Sequence, residues 1–114
     1  MAELSLTDIF GANAVQDATT LTITKADLVD VGLTTGTTIA AEKLLVAIIK
    51  KAAIKCNPDD RETNADQSVS IEASTVPTFA TRVINNVTSP YIRDTFTVEL
   101  DKAYTSTGID PDDY

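Results

Sequence analysis

Apolar positions along this chain follow two periods, and the change from one to the other defines its elements. Between Thr38 and Cys56 the spacing is helical. With Leu45 at the centre of the wheel, Ala41, Ile48, Ile49, Ala52 and Cys56 fall within about one turn-width of it. A main helix is therefore predicted over 38–56. Thr37 or Thr38 suits its first turn as a cap, Glu42 suits the positive end of its dipole, and Lys50, Lys51 and Lys55 suit the negative end. Asn57-Pro58 stops it. Val46 lies on the flank of this wheel, and Ala47 and Ile54 lie near its back. Scattered surface apolar residues are ordinary. The sharper expectation is a second apolar strip that meets a neighbouring subunit or the N-terminal arm.

Elsewhere the period is two. Thr20–Thr24 sets Leu21 and Ile23 on one face and threonines on the other. Val69, Ile71 and Ala73 share a face in 68–73, and Phe79, Thr81 and Val83 continue the pattern after Pro77, which argues for a bend or an edge. In Tyr91–Asp101, Ile92, Phe96, Val98 and Leu100 share one face with Asp94 as the exception, while Tyr91, Arg93, Thr95, Thr97, Glu99 and Asp101 take the other. Asn85-Asn86 and Ser89-Pro90 are read as turns. Thr24 with Asp27 three residues on opens a short helical turn over Lys25–Val31, ended by Gly32. The stretch Asp59–Gln67 reads as a polar loop.

These elements predict one domain over 1–114, of class α+β: a small, mostly antiparallel sheet of about four strands packed on one main helix. Residues 1–17 form an arm with one helical turn stopped at Gly11, anchored by Leu4, Leu6, Ile9 and Phe10. Residues 105–114 read as an exposed acidic tail. Aromatic residues are few and tryptophan is absent, so the core must be mostly Leu, Ile, Val and Ala.

Charge narrows the functional classes. The formal net charge is −8, which repels phosphate backbones and anionic bilayers, so neither nucleic acid nor membrane is an expected partner. The N-terminus lacks the basic and apolar regions of a secretory leader, and the longest strongly apolar run, 44–49, is too short to span a bilayer. A cytoplasmic site of synthesis is expected. Cys56 is the single cysteine, so no intrachain disulfide forms, and its position on the apolar helix face predicts a buried, inert thiol.

Catalytic chemistry has little to start from. The chain has no histidine, which removes the usual general base and every Ser-His or Cys-His pair. Gly32 and Gly36 do not belong to a phosphate loop. Asn57, Asp59, Asp60, Glu62, Asn64 and Asp66 are oxygen-rich but lack the glycine and terminal Glu of an EF-hand. Glu72, Asp94, Glu99 and Asp101 lie on predicted strands as candidate carboxylate pairs, without an evident cleft. Asn86-Val87-Thr88 matches a glycosylation sequon, with no secretory context to support it. No enzyme and no cofactor are expected.

Threonine accounts for 18 of the 114 residues, giving flat, uncharged strand faces with little protection against strand association. The segments Leu6-Thr-Asp-Ile-Phe-Gly-Ala-Asn13, Thr19-Thr-Leu-Thr-Ile-Thr24 and Arg93-Asp-Thr-Phe-Thr-Val-Glu-Leu100 give the chain a texture that resembles small accessory proteins of tailed-phage virions, such as capsid decoration or head and tail proteins. That resemblance implies a structural protein acting in many copies and incorporated into a virion, with itself or other assembly proteins as partners. The candidate interface residues are Leu4, Leu6, Ile9, Phe10, Val46, Ile54, Tyr91 and Arg93. The competing reading is a monomeric or dimeric binding module that recognises a protein or small ligand through the threonine-rich face and the Tyr91/Arg93 region.

Overall fold

The computed structural model describes residues 3–104 and 108–114. Its order is α1 (Leu6–Phe10), β1 (Val15–Gln16), β2 (Leu21–Thr22), a 3₁₀ helix (Lys25–Val31), α2 (Ala41–Lys55), α3 (Pro58–Thr63), β3 (Val69–Ala73), β4 (Thr78–Ile84), β5 (Val87–Arg93), β6 (Phe96–Leu100) and a final 3₁₀ turn (Pro111–Asp113). The class is α+β, and every strand pair is antiparallel. The strands do not join into one four-stranded sheet. They form separate two-stranded pairs: β1–β2, β3–β6 and β4–β5.

The arm belongs to its own domain. Ser5 and Asp8 form a reciprocal capping box at the start of α1, and Gly11 ends it. α1 then packs on α2, half-burying Leu4, Leu6, Ile9 and Phe10. Beyond Gly11 the chain is stitched to the 3₁₀ helix, where the Asn13 amide N–H and Nδ2 each donate to the Asp27 carboxylate at 2.8 Å. Asp27 thus fastens the arm and does not act within a capping box, and the Thr24 side chain makes no cap bond. Met1 and Ala2 lie outside the described residues.

The Asp8 carboxyl is held below its ordinary range, chiefly by the Ser5 backbone N–H and then by the Ser5 hydroxyl. A carboxylate whose folded pKa is depressed favours the folded state above its unfolded value, about 3.9, and loses that contribution as pH falls through the lower folded value. The stability cost of Asp8→Ala should therefore be present at neutral pH and vanish in acid. Urea titrations of both proteins at several pH values would show it, and a cost independent of pH would contradict the capping role.

α2 starts at Ala41, after Ala40, and no side chain caps it. Thr37 and Thr38 are exposed loop residues. The buried face also differs from the expected one. Ala47, Ala52 and Cys56 are buried, whereas Leu45, the expected centre, is 57% exposed. The reason lies in the 3₁₀ helix. Lys50 donates to the Val31 carbonyl, an end carbonyl of that helix, and Lys51 pairs with Asp30, both at 2.8 Å. These two lysines flank Ala47 on the wheel and hold the 3₁₀ helix against that side of α2, on which α1 also packs. Leu28, on that helix, is among the least exposed residues described.

The segment expected as a loop after α2 contains a helix. Asn57 accepts from the Asp60 N–H at 2.7 Å and Pro58 occupies the first turn, so the signal that ends α2 also begins α3. Arg61 on α3 donates to the buried Ser70 hydroxyl at 2.8 Å and pairs with Glu99 at 3.2 Å and Asp101 at 3.7 Å. Gln67 is buried and donates to the Asn57 and Val69 carbonyls. The Ile71 N–H donates to the Cys56 carbonyl at 2.6 Å, which covers the outer edge of β3 with the end of α2.

β3 to β6 form one long hairpin with a break in it. The base pairs Val69 with Leu100 through Ala73 with Phe96, and the tip pairs Thr78 with Arg93 through Ile84 with Val87. The two registers differ by two residues. Thr75, Val76 and Pro77 on the first strand face only Asp94 between the Ser74–Thr95 and Thr78–Arg93 pairs, which leaves two residues extra. A bulge of this kind bends and twists the ribbon. It also divides the expected strand Tyr91–Asp101 between β5 and β6. Ser89-Pro90 is not a turn but lies inside β5. Asn85 and Asn86, with φ of 53° and 62°, form the two-residue turn with positive φ at both positions that matches strand twist.

The acidic tail is in part tied down. Asp113 pairs with Lys102 at 3.1 Å, and Lys102 lies 5.8 Å from the Tyr114 ring centre. Residues 105–107 of that expected tail lie outside the described residues.

Candidate functional site

The feature that stands out is the tip hairpin, β4–β5. Seven paired residues at about 3.4 Å each give an arm about 24 Å long, and no other element packs closely along it among the described residues. The molecule measures 50 × 38 × 27 Å with a radius of gyration of 16.9 Å, against about 13 Å for a compact chain of this length. The arm accounts for that excess in a simple way: it stands off the helical body.

Directly paired residues share a face. One face carries Phe79, Thr81, Val83, Thr88, Pro90 and Ile92, none of them charged. Phe79 is 90% exposed, Val83 68% and Ile92 67%. The other face carries Thr78, Ala80, Arg82, Ile84, Val87, Ser89, Tyr91 and Arg93. There the Arg82 guanidinium sits 5.3 Å from the Tyr91 ring centre, a cation–π contact. Exposed apolar patches on soluble proteins commonly mark interaction sites.

Tyr91 and Arg93 lie on the arm, and the stacking partner of Tyr91 is Arg82. Val46 and Ile54 remain about half-exposed on α2. Val46 borders an open groove of about 800 Å³ between α2 and the loop Val31–Ala40, lined also by Leu33, Ile39 and Lys43. Leu4, Leu6, Ile9 and Phe10 are half-buried in the body. The expected interface residues thus fall into three groups on different elements, and the structure does not bring them together. Phe79, Val83, Ile84, Val87 and Ile92 were not among them. Phe79, Val83 and Ile92 belong to alternating patterns in the sequence and Ile84 and Val87 do not, and alternation reveals which residues share a face but not whether that face is covered.

Several titratable groups are engaged in local structure. Burial raises the Cys56 thiol pKa, which suppresses the reactive thiolate. The oxygens of 57–66 largely serve local bonds: Asn57 Oδ1 caps Asp60, Asp60 Oδ2 accepts from Asn57 Nδ2, and Asn64 Oδ1 accepts from Asp66 N–H. Glu99 and Asp101 meet at Arg61. Among the described residues, no three His, Cys, Asp or Glu side chains converge as a metal site, and no helix is long and apolar enough to cross a membrane.

Comparison of the chain with protein-family models, with curated proteins and with solved structures finds no match.

Proposed function

We propose that this protein is a non-enzymatic assembly component that works in multiple copies, and that its β4–β5 arm is the element that reaches other subunits. The observation that supports this most is the arm's uncharged face, with Phe79, Val83 and Ile92 exposed on a ribbon that no other element covers among the described residues. A thin core points the same way. The buried apolar residues described are Ala14, Leu28, Ala47, Ala52 and Cys56, a small set for 114 residues, and association would add stability to such a domain. The resemblance to accessory proteins of tailed-phage virions belongs to this reading as its most specific form. A binding module remains the second reading, favoured by the groove between α2 and the loop Val31–Ala40.

Sedimentation across a wide protein concentration range separates the two. Assembly through the arm should give concentration-dependent oligomers, and Phe79→Ser with Ile92→Ser should abolish them while the far-ultraviolet spectrum of the helical body persists. A strictly monomeric protein at every concentration, unaffected by those changes, would remove the self-assembly reading.

A further inference from the structure

We propose that the occupant of the arm is the arm of a second copy, joined edge to edge through β4; this rests on the assembly reading above and specifies its contact. The backbone geometry selects the edge. The two-residue Asn85-Asn86 turn makes Ile84 and Val87 a hydrogen-bonded pair, and alternation from there places the backbone groups of Phe79, Thr81 and Val83 outward on β4, and those of Thr88, Pro90 and Ile92 outward on β5. Pro90 has no N–H, so the β5 edge is blocked at its middle. The β4 edge keeps every donor and acceptor, and no further strand pairs with it among the described residues.

The side chains select the register. An antiparallel copy with Thr81 opposite Thr81 sets Phe79 opposite Val83 in both directions, so every outward N–H and C=O of the three residues is used. Threonine pairs and aromatic–β-branched pairs are favourable across antiparallel strands. On the other face Arg82 comes opposite Ala80 and remains available to Tyr91. The adjacent allowed register in one direction sets Arg82 directly against its own copy. In the other direction it brings Pro77, which has no N–H, opposite Val83. Both neighbours are worse, and the contact closes on itself about a two-fold axis. The product is a four-stranded sheet in the order β5–β4–β4–β5, with one uncharged face.

Charge favours the same contact. From Ala73 to Arg93 the chain has no Asp or Glu and two Arg. The remainder has seven Lys and Arg against seventeen Asp and Glu, a charge of −10. Two copies repel through their bodies and can approach along the arms. A like-charged pair of this kind associates more strongly as salt screens the bodies. Docking of the Arg-bearing arm on the acidic body of another copy would weaken with salt.

The test uses the full chain in sedimentation velocity at low and high salt, with Thr81→Pro and separate cysteine variants. The Thr81 N–H points outward, so proline there spares the ladder with β5. We expect a reversible wild-type dimer with a dissociation constant on the order of micromolar, as befits a small contact, strengthened by salt and weakened at least tenfold in Thr81→Pro. Thr81→Cys should oxidise to a covalent dimer, because a hydrogen-bonded pair has its Cα atoms about 5.5 Å apart, within disulfide reach. Val83→Cys, which faces Phe79 of the other copy, should not, and buried Cys56 gives no background. Association unchanged in Thr81→Pro, or Val83→Cys linking as readily as Thr81→Cys, would overturn the edge pairing and leave assembly by another surface standing. Association that weakens with salt would overturn it in favour of arm-to-body docking. A wild-type monomer at all concentrations would overturn the pairing together with self-assembly itself.

Discussion

Gly11→Ala should destabilise the protein by about 3 kcal/mol or more, and it should do so by unseating the N-terminal arm. Two effects combine. Gly11 has φ of 114° and ψ of 159°, a region that only glycine occupies readily and that costs other residues roughly 1–3 kcal/mol. A β-carbon added there would also lie 2.6 Å from the Asp27 β-carbon and 2.9 Å from Asp27 Oδ2. Relief of that clash requires the Asp27 carboxylate to move, which breaks the two bonds it accepts from Asn13. Hydrogen bonds to a charged group contribute about 1.5–3 kcal/mol each. Urea denaturation checks this directly: the midpoint should fall with the slope unchanged. A midpoint equal to that of the wild type would mean that α1 and Asn13 are not seated on the 3₁₀ helix as described. The same result bears on any truncation experiment. Removal of residues 1–17 takes away part of the body, so a loss of association in such a variant would not by itself identify the arm as an intersubunit element.

The second large effect separates two leucines that sequence periodicity ranks the other way. Leu28→Ala should cost about 2–5 kcal/mol, because Leu28 is only 2% exposed and its truncation leaves a cavity as well as losing its transfer free energy. Leu45→Ala should cost less than about 1 kcal/mol, since that side chain is already largely in water. In a core with so few buried residues, the Leu28 variant would lose a substantial part of the whole stability, for which roughly 5–15 kcal/mol is usual. Thermal and urea unfolding of the two variants side by side would decide it. Equal losses, or a larger loss at Leu45, would show that α2 turns its other face inward.

Local signals decide structure where their partners lie within a few residues. The turn at the end of the arm, the short helical turn Lys25–Val31 closed by Gly32 in a left-handed conformation, and the Asn85-Asn86 turn all follow from such signals. One local signal carries two meanings. Asn57-Pro58 ends α2, and the same pair caps and opens α3. Ser89-Pro90 misled for a related reason. Proline excludes a central strand, yet on an open edge its missing N–H costs no ladder bond, so β5 runs through it.

The α+β class, the antiparallel character of the strands, the main helix and the Asn85-Asn86 turn were determined by the sequence itself. Backbone propensity, capping and side-chain alternation act over a few residues and need no distant partner. Which side of α2 faces inward was decided only in three dimensions. Leu44 to Ile54 is apolar nearly all round, so periodicity leaves several faces equivalent, and Lys50 and Lys51 choose among them by clasping a helix about twenty residues earlier. Tertiary structure likewise decided that the β4–β5 ribbon stands clear of the body. Two extra residues before Thr78 interrupt the ribbon, and beyond them a face that alternation alone would place in a core is left open to solvent.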